Sequence, residues 1–337
     1  MYINMDEWSQ EIIDAKDRRV VPVLYFPCLS LTGMGIIETV NDGKKMAQTM
    51  KAIIDKYPAT IASVTGMDLT VDAEAFGSTV TFKDNEAPSI RTELIKTPED
   101  VQNLKVPDVH SGRVDVFIDA VKEAQNLITD RPVMGGQLGP FSLAANLMEV
   151  QAALKCVRKD PDTMKVLLDK ATDFLIARAR AYKEAGANGI FLAEPTAGLL
   201  SPKQIEEFSS VYVRKMVDAV QDSGFYIILH NCGYVTKSVS SMYGTGCKGY
   251  HFGNSVDMKD ILPQIPANVL VFGNVDPSSV FTNGTPEKMH EVSMQLLEEM
   301  KDYPHYVFSS GCDIPPLAPL ENVDAFYAAI EEYNSKL

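Results

Sequence analysis

The residue types best suited to binding a metal ion fall at three positions of this sequence. His230 and Cys232 lie two residues apart, and Cys312 follows much later in the chain. In an extended strand, side chains two residues apart point to the same side, so the first two can share one ion. One imidazole and two thiolates suit Zn²⁺, and they leave a fourth position open for water or a substrate, as in catalytic zinc sites.

The spacing by itself leaves a second interpretation open. A His-x-Cys pair also arises by chance, and no Cys-x-x-Cys pair supports it in this chain. The alternative is that these three are unrelated buried residues, since a free cysteine ordinarily behaves as a small apolar side chain. The choice depends on whether the fold brings the three side chains together.

The elements that must position these residues follow an alternating pattern. Short apolar runs rich in β-branched and aromatic residues alternate with longer segments of helical periodicity, which predicts βαβ units and a parallel sheet. The predicted strands are Val20–Pro27, Thr60–Thr65, Pro132–Gly136, Gly189–Ala193, Phe225–Leu229, Gly249–Phe252, Val269–Phe272 and Tyr306–Ser309. The clearest predicted helices are Gly43–Lys56, Asp160–Glu184, Pro202–Gln221 and Leu320–Tyr333. Eight strand–helix units predict an α/β fold of the (β/α)₈ TIM-barrel type.

The length of 337 residues suits one such barrel with an insertion. Between the second and third predicted strands, the alternating segment Ala75–Phe82 is followed by Pro88, Pro98 and Pro107. This pattern favours a small hairpin excursion over a domain boundary. The chain has no Gly/Ser-rich linker, and we predict a single domain over residues 1–337 with a hairpin insertion around 68–107.

Polar residues directly after the predicted strands are the candidates for a functional site, because such barrels carry their active sites at the carboxyl ends of the strands. They are Cys28, Gln137, Glu194, His230, Asn231, Cys232, Asn254, Asn274, Asp276, Cys312 and Asp313. We call this face of the barrel, with its loops, the barrel mouth. The segment 135–140 also opens a helix there, and it either presents backbone N–H groups to an anion or is only a tight turn.

Charge and composition exclude several classes of protein. With 31 Lys and Arg against 45 Asp and Glu, the formal net charge is −14, which argues against a nucleic-acid or anionic-membrane binder. No signal peptide and no membrane-spanning apolar run are present, so we expect a soluble, cytoplasmic protein. The five cysteines are odd in number and widely spaced, which argues against a disulfide framework.

Several segments resemble the uroporphyrinogen decarboxylase superfamily, whose fold is a (β/α)₈ barrel. They are Asp72–Gly77, Gly139–Phe141, Leu229–Gly233, Gly273–Pro277, Ser309–Pro316 and Pro319–Asn322. True decarboxylases of that superfamily carry an arginine-rich segment after the first strand, which binds the carboxylates of the tetrapyrrole. The corresponding stretch 26–33 contains neither Arg nor Lys. The sequence instead resembles the methylcobamide:coenzyme M methyltransferase branch, of the methanol- and methylamine-specific type, whose His-x-Cys…Cys zinc signature is present as His230, Cys232 and Cys312.

This resemblance implies a zinc-dependent methyltransferase. It would move a methyl group from a methylated corrinoid (methylcobalamin or a small corrinoid-carrying protein) to a thiol such as coenzyme M, activated as a zinc thiolate. Glu194 would be the fourth zinc ligand or the thiol's proton acceptor, or else it orients neighbouring groups or caps a loop. Gln137, Asn254, Asn274 and Asp276 would line the mouth and either bind the corrinoid edge or hold the ligands.

Three rival functions stay open at this point. Tetrahydrofolate in place of the thiol would make the chain a methylcorrinoid:tetrahydrofolate methyltransferase, although no pterin-binding motif is apparent. Tetrapyrrole decarboxylation is disfavoured by the missing arginines. A corrinoid- or porphyrin-binding protein without catalysis is disfavoured by the retained cysteines.

Overall fold

Seven parallel strands form the central sheet of the computed structural model, which describes residues 3–337. Their order is β1 (Ser63–Val64), β4 (Val133–Leu138), β5 (Gly189–Ala193), β6 (Tyr226–Asn231), β7 (Gly249–Phe252), β8 (Leu270–Val275) and β9 (Tyr306–Ser310). Strands β2 (Val80–Lys83) and β3 (Glu86–Ile90) form a separate antiparallel hairpin. Every residue of β4, β5, β6, β7 and β9 is buried, which explains why these strands appear in the sequence as continuous apolar runs rather than as alternating patterns.

The barrel closes through the N-terminal segment, which takes the place of an eighth strand. Val20 forms parallel bridges with Thr60 on one side and Phe308 on the other. The prediction of a (β/α)₈-type fold is confirmed, but the predicted strand Val20–Pro27 is wrong beyond its first residues. Pro22 and Pro27 have no N–H to donate, and residues 26–31 form a 3₁₀ turn.

Helices surround the sheet and alternate with its strands. They are α1 (Met5–Asp14), α2 (Ile36–Thr39), α3 (Gly43–Lys56), α4 (Val71–Ala75), α5 (Pro98–Asn103), α6 (Val114–Leu127), α7 (Pro140–Met148), α8 (Val150–Lys159), α9 (Pro161–Glu184), α10 (Pro202–Ile205), α11 (Val211–Val220), α12 (Val239–Tyr243), α13 (Met258–Ile261), α14 (Pro286–Glu299) and α15 (Leu320–Asn334). A π-helical turn at residues 206–210 joins α10 to α11. Among the described residues, no helix is long and apolar enough to cross a membrane.

One buried ion pair fastens the excursion between β1 and β4 to the barrel, and a second lies within the excursion. In one pair, Arg178 Nη1 on α9 lies 2.6 Å from Asp72 Oδ1 on α4, and neither side chain is exposed to solvent. Arg178 also donates to the Tyr182 hydroxyl at 2.8 Å, and the Leu138 N–H donates to Asp72 Oδ2 at 3.1 Å. In the other pair, Arg113 bridges Asp68 and Glu74 at 2.6 and 2.7 Å. The hairpin lies within this excursion, and the single-domain organisation stays a prediction.

Candidate metal centre

Three side chains from opposite parts of the barrel meet at the mouth. His230 is the penultimate residue of β6, Cys232 follows that strand directly, and Cys312 follows β9. One ligand atom from each of them lies within 4.8 Å of the other two. His230 is buried and both cysteines are half-buried, so the cluster is partly accessible to solvent. The fold therefore brings together the residues that the spacing singled out.

The distance between His230 and Cys312 matches an edge length of a tetrahedral zinc site. Cys312 Sγ lies 3.5 Å from His230 Nε2. Bonds of about 2.1 Å from zinc to nitrogen and about 2.3 Å to sulfur at a tetrahedral angle place those two donor atoms about 3.6 Å apart. The donor set and its spacing therefore fit Zn²⁺ without rearrangement of these two side chains.

A chain of hydrogen bonds fixes which nitrogen of His230 is free to bind a cation. The Ser309 hydroxyl donates to the Val21 carbonyl at 2.7 Å, so Oγ must accept the hydrogen of His251 Nε2, 3.0 Å away. Burial lowers the pKa of His251 well below its usual value, which keeps the ring neutral and makes its Nδ1 an acceptor. His230 Nδ1 lies 2.7 Å from that atom and must therefore donate. The lone pair of His230 is thus on Nε2, which faces Cys312.

A hydrogen bond couples the thiols of Cys232 and Cys312. A hydrogen bond from Cys312, together with His230, lowers the pKa of the Cys232 thiol. The hydrogen bond to Cys232 and burial raise the pKa of Cys312 in turn. A bound dication would remove this conflict, because metal coordination deprotonates both thiols.

We predict that Ser309→Ala weakens metal binding without removing a ligand. Without the hydroxyl, His251 loses the acceptor that sets its tautomer, and His230 is no longer held with its lone pair toward the cysteines. Loss of such an outer partner typically costs about 10–100-fold in metal affinity. Competition for Zn²⁺ with a chromophoric chelator measures this directly. Ser293→Ala removes an equally buried hydroxyl outside the cluster and should leave the affinity unchanged.

Glu194 occupies a structural position at the end of β5. Its carboxylate accepts four hydrogen bonds, from the backbone N–H groups of Phe141 and Ser142 and from the hydroxyls of Ser142 and Ser209, at 2.7–3.0 Å. Burial raises the pKa of this carboxyl, and the four donors oppose that change. Glu194 is not among the ligand atoms clustered within 4.8 Å. The structure thus supports the capping role at the start of α7, where the backbone donors are Phe141 and Ser142, just after segment 135–140.

The other expected mouth residues divide into structural and exposed groups. Gln137 points away from the mouth, because its Nε2 donates to the Leu175 carbonyl on α9 and the residue is 1% exposed. Asn274 donates to the carbonyls of Gly253 and Val256, and Asp276 caps the turn at 277–282 through the N–H groups of two serines. Asn254 alone is exposed, beside Gly311. The hydrogen bonds show that Gln137, Asn274 and Asp276 hold backbone groups, and the corrinoid contact stays a prediction for all four residues.

The sequence interpretation missed two residues and left one unresolved. His251 and Ser309 both lie inside predicted strands. The sequence criterion selected only residues that follow a strand, so it did not select these two. The pairing of His230 with His251 across β6 and β7 requires the strand register. Cys28 is fully buried, and burial raises its pKa to about 12, so it is an inert thiol rather than a further ligand.

A closed parallel barrel is an architecture typical of enzymes, and the histidine and two cysteines gathered at its mouth form a candidate site for a soft metal ion. Comparison with known families makes the assignment specific. The chain belongs to the uroporphyrinogen decarboxylase (URO-D) family, whose model matches residues 18–333.

The similar proteins include methyltransferases. "Methylcobamide:CoM methyltransferase MtbA" of Methanosarcina acetivorans is 31% identical over 79% of this chain and 78% of its own length. The protein of the same name from Methanosarcina mazei is 29% identical over 94% of this chain and 95% of its own length. A solved structure described as a methyltransferase from Methanosarcina mazei superposes with a TM-score of 0.87 at 27% identity, covering 99% of both chains. The predicted branch of the superfamily and the enzyme class, methyltransferase, are confirmed.

Proposed function

We propose that this enzyme transfers a methyl group from a methylated corrinoid to a thiol, using zinc held by His230, Cys232 and Cys312. The single observation that carries the proposal is the cluster of these three side chains at the mouth, with their ligand atoms within 4.8 Å of one another. The relatives named for methylcobamide and CoM support the donor and the type of acceptor. In the overall reaction the thiol sulfur bonds to the methyl carbon, the carbon–cobalt bond breaks with its electron pair left on cobalt, and the thiol proton passes to solvent.

The residues of the chain contribute position and protonation state. When bound, Zn²⁺ would lower the pKa of the acceptor thiol, which is mostly protonated near neutral pH when free. His230 presents its Nε2 lone pair because His251 and Ser309 hold the other nitrogen as a donor. Two cysteines among the ligands supply negative charge, which keeps a bound sulfur electron-rich. The buried walls of β6 and β9 exclude water from one side of the cluster.

The experiment that tests this function combines metal analysis with an acceptor screen. Purified protein should contain one zinc per chain, and it should demethylate methylcobalamin when a thiol is added. Metal-free protein with full activity would contradict the zinc role. Activity with tetrahydrofolate but with no thiol would reassign the acceptor, and turnover of uroporphyrinogen would reassign the reaction.

Three exposed apolar side chains surround the mouth and are suited to contact the methyl donor. Leu199, Tyr234 and Leu317, which we call the rim patch, follow β5, β6 and β9 and are 61%, 72% and 67% exposed. Tyr234 is two residues from Cys232, and Leu317 is five residues from Cys312. An apolar patch beside a reaction centre commonly marks a binding surface. We propose that the rim patch contacts the corrinoid and the small protein that carries it.

We predict that Tyr234→Ala raises the KM for methylcobalamin with a smaller change in kcat. An exposed aromatic side chain contributes binding that is equal in the ground and transition states, so its loss appears in KM. The expected rise is about 5–30-fold, which corresponds to about 1–2 kcal/mol. Leu127→Ala is the matched control, because Leu127 is an exposed apolar residue at the end of α6, before β4, and so lies at the opposite face. Equal effects of both variants would contradict a donor contact at the rim.

A further inference from the structure

Cys232 lies just beyond the ladder of hydrogen bonds that holds His230 in the sheet. Strand β6 ends at Asn231, and no backbone hydrogen bond of Cys232 is present in the described part of the chain. The backbone on both sides of Cys312, by contrast, is hydrogen-bonded to neighbouring segments at 2.7 and 3.1 Å. The position of Cys232 therefore depends on contacts other than the ladder.

The side chain of Asn231 supplies two such contacts. Its Oδ1 accepts a hydrogen bond from the Gly233 N–H at 2.8 Å, which closes a turn around Cys232. Its Nδ2 donates to the Glu194 carbonyl, directly after β5, at 2.7 Å. The residue is 3% exposed, so both bonds are shielded from water. Because a backbone N–H only donates and a carbonyl only accepts, the position requires a side chain with one acceptor and one donor, as asparagine has.

Two glycines let the neighbouring loops pack closely against this turn. A Cβ atom on Gly198, in the 3₁₀ turn after β5, would lie 2.7 Å from Asn231 Oδ1. A Cβ atom on Gly253, directly after β7, would lie 2.5 Å from the Cys232 Cα. Both distances are well below the about 3.5–4.0 Å of ordinary contacts between carbon atoms. The turn is therefore packed against the loops that follow β5 and β7, which limits its freedom to move.

We propose that Asn231 is a positioning residue for the zinc site, because the turn that it closes holds Cys232 in place before the metal binds. This inference rests on the proposed function, and Asn231 acts through Cys232 rather than by contacting the ion. A ligand that is already in position loses less conformational freedom when it binds, so loss of the two hydrogen bonds should weaken metal binding. The role differs from that of Ser309, which acts on the histidine ligand.

Asn231→Ala removes both hydrogen bonds and is expected to raise the Kd for Zn²⁺ by about 10–100-fold. Competition with a chromophoric chelator measures this constant. Asn231→Ser should lose less affinity, because a serine hydroxyl can also accept from the N–H two residues further on, although more weakly. At saturating cobalt(II), the sulfur-to-cobalt absorption band should be weaker in Asn231→Ala, since Cys232 is then less well placed to bind.

Asn188→Ala is the matched control for the alanine variant. Asn188 is 4% exposed, precedes β5 at the opposite face of the barrel, and its Oδ1 accepts from the Val133 N–H at 3.1 Å. Both alanine variants should lower the thermal unfolding midpoint of the metal-free protein, but only Asn231→Ala should lose zinc affinity. An unchanged Kd in Asn231→Ala, or equal losses in the two variants, would overturn the inference and leave the proposed function intact.

Hydrogen exchange of the unmodified, metal-free protein tests the turn without a variant. In protein labelled with ¹⁵N-glycine, the Gly233 amide should exchange at least about tenfold more slowly than that of the exposed Gly33. Equal rates would contradict a turn formed before metal binding, even if Asn231→Ala does not fold. Failure of the unmodified protein to bind zinc would instead overturn the proposed function, and this inference with it.

Discussion

Replacing Cys312 by serine is expected to abolish stoichiometric zinc binding and to lower methylcobalamin demethylation by at least about 100-fold. The hydroxyl is a much weaker ligand than a thiolate, and only His230 and Cys232 would be left to hold the ion. Because ligation and activation of the acceptor depend on the same site, the metal content and the rate should fall together. Elemental analysis and the demethylation assay on the same preparation measure both.

Cys156→Ser is the matched control for that substitution. Cys156 lies on α8 outside the cluster, and its thiol contacts the Asp160 carbonyl at 3.3 Å, a contact that a serine hydroxyl can also make. This variant should retain its metal and its rate. If Cys312→Ser behaved like this control, the zinc assignment would be wrong.

Replacing Arg178 by methionine is expected to destabilise the fold by about 3–5 kcal/mol, because it leaves the Asp72 carboxylate buried without its cation. In a chain of this size the midpoint of thermal unfolding should fall by about 4–7 °C. The double variant Asp72→Leu with Arg178→Met should be more stable than Arg178→Met alone, since it removes the unpaired charge as well. Differential scanning calorimetry of both variants makes the comparison.

An exposed ion pair of the same length provides the reference. Lys215 and Asp169 are 2.6 Å apart, but their side chains are 52% and 57% exposed. Lys215→Met should therefore lower the free energy of unfolding by no more than about 1 kcal/mol. A comparable loss of stability in Lys215→Met and Arg178→Met would show that Arg178 does not anchor the excursion.

Most of the barrel could be predicted from the sequence because its central strands are buried on both faces. Such strands appear as short apolar runs, and the predicted bounds of Gly189–Ala193 and Gly249–Phe252 equal those of β5 and β7. The first strand could not be predicted correctly from the same signal. The run from Val20 is apolar because it packs in the core, whereas its prolines prevent the ladder of hydrogen bonds that a strand needs.

Only part of the candidate metal centre could be predicted from the sequence. His230, Cys232 and Cys312 are chemically distinctive, and their positions after predicted strands were enough to group them. The roles of Glu194 and Gln137 depend on which way a side chain points at a strand end, and a sequence does not carry that information. The support from His251 and Ser309 depends on register across three strands, where one residue of slip would point both side chains to the other side of the sheet.

The closure of the barrel by its N-terminal segment affects when the protein can acquire its metal. Cys312 lies between Ser310, whose hydroxyl accepts from the Val23 N–H at 3.0 Å, and Ile314, whose N–H donates to the Val23 carbonyl at 3.1 Å. The third ligand is therefore in place only when the end of the chain has docked against its beginning. If zinc binds as proposed, it binds only after the segment around Cys312 has docked against Val23, and the bound ion then links both segments to β6.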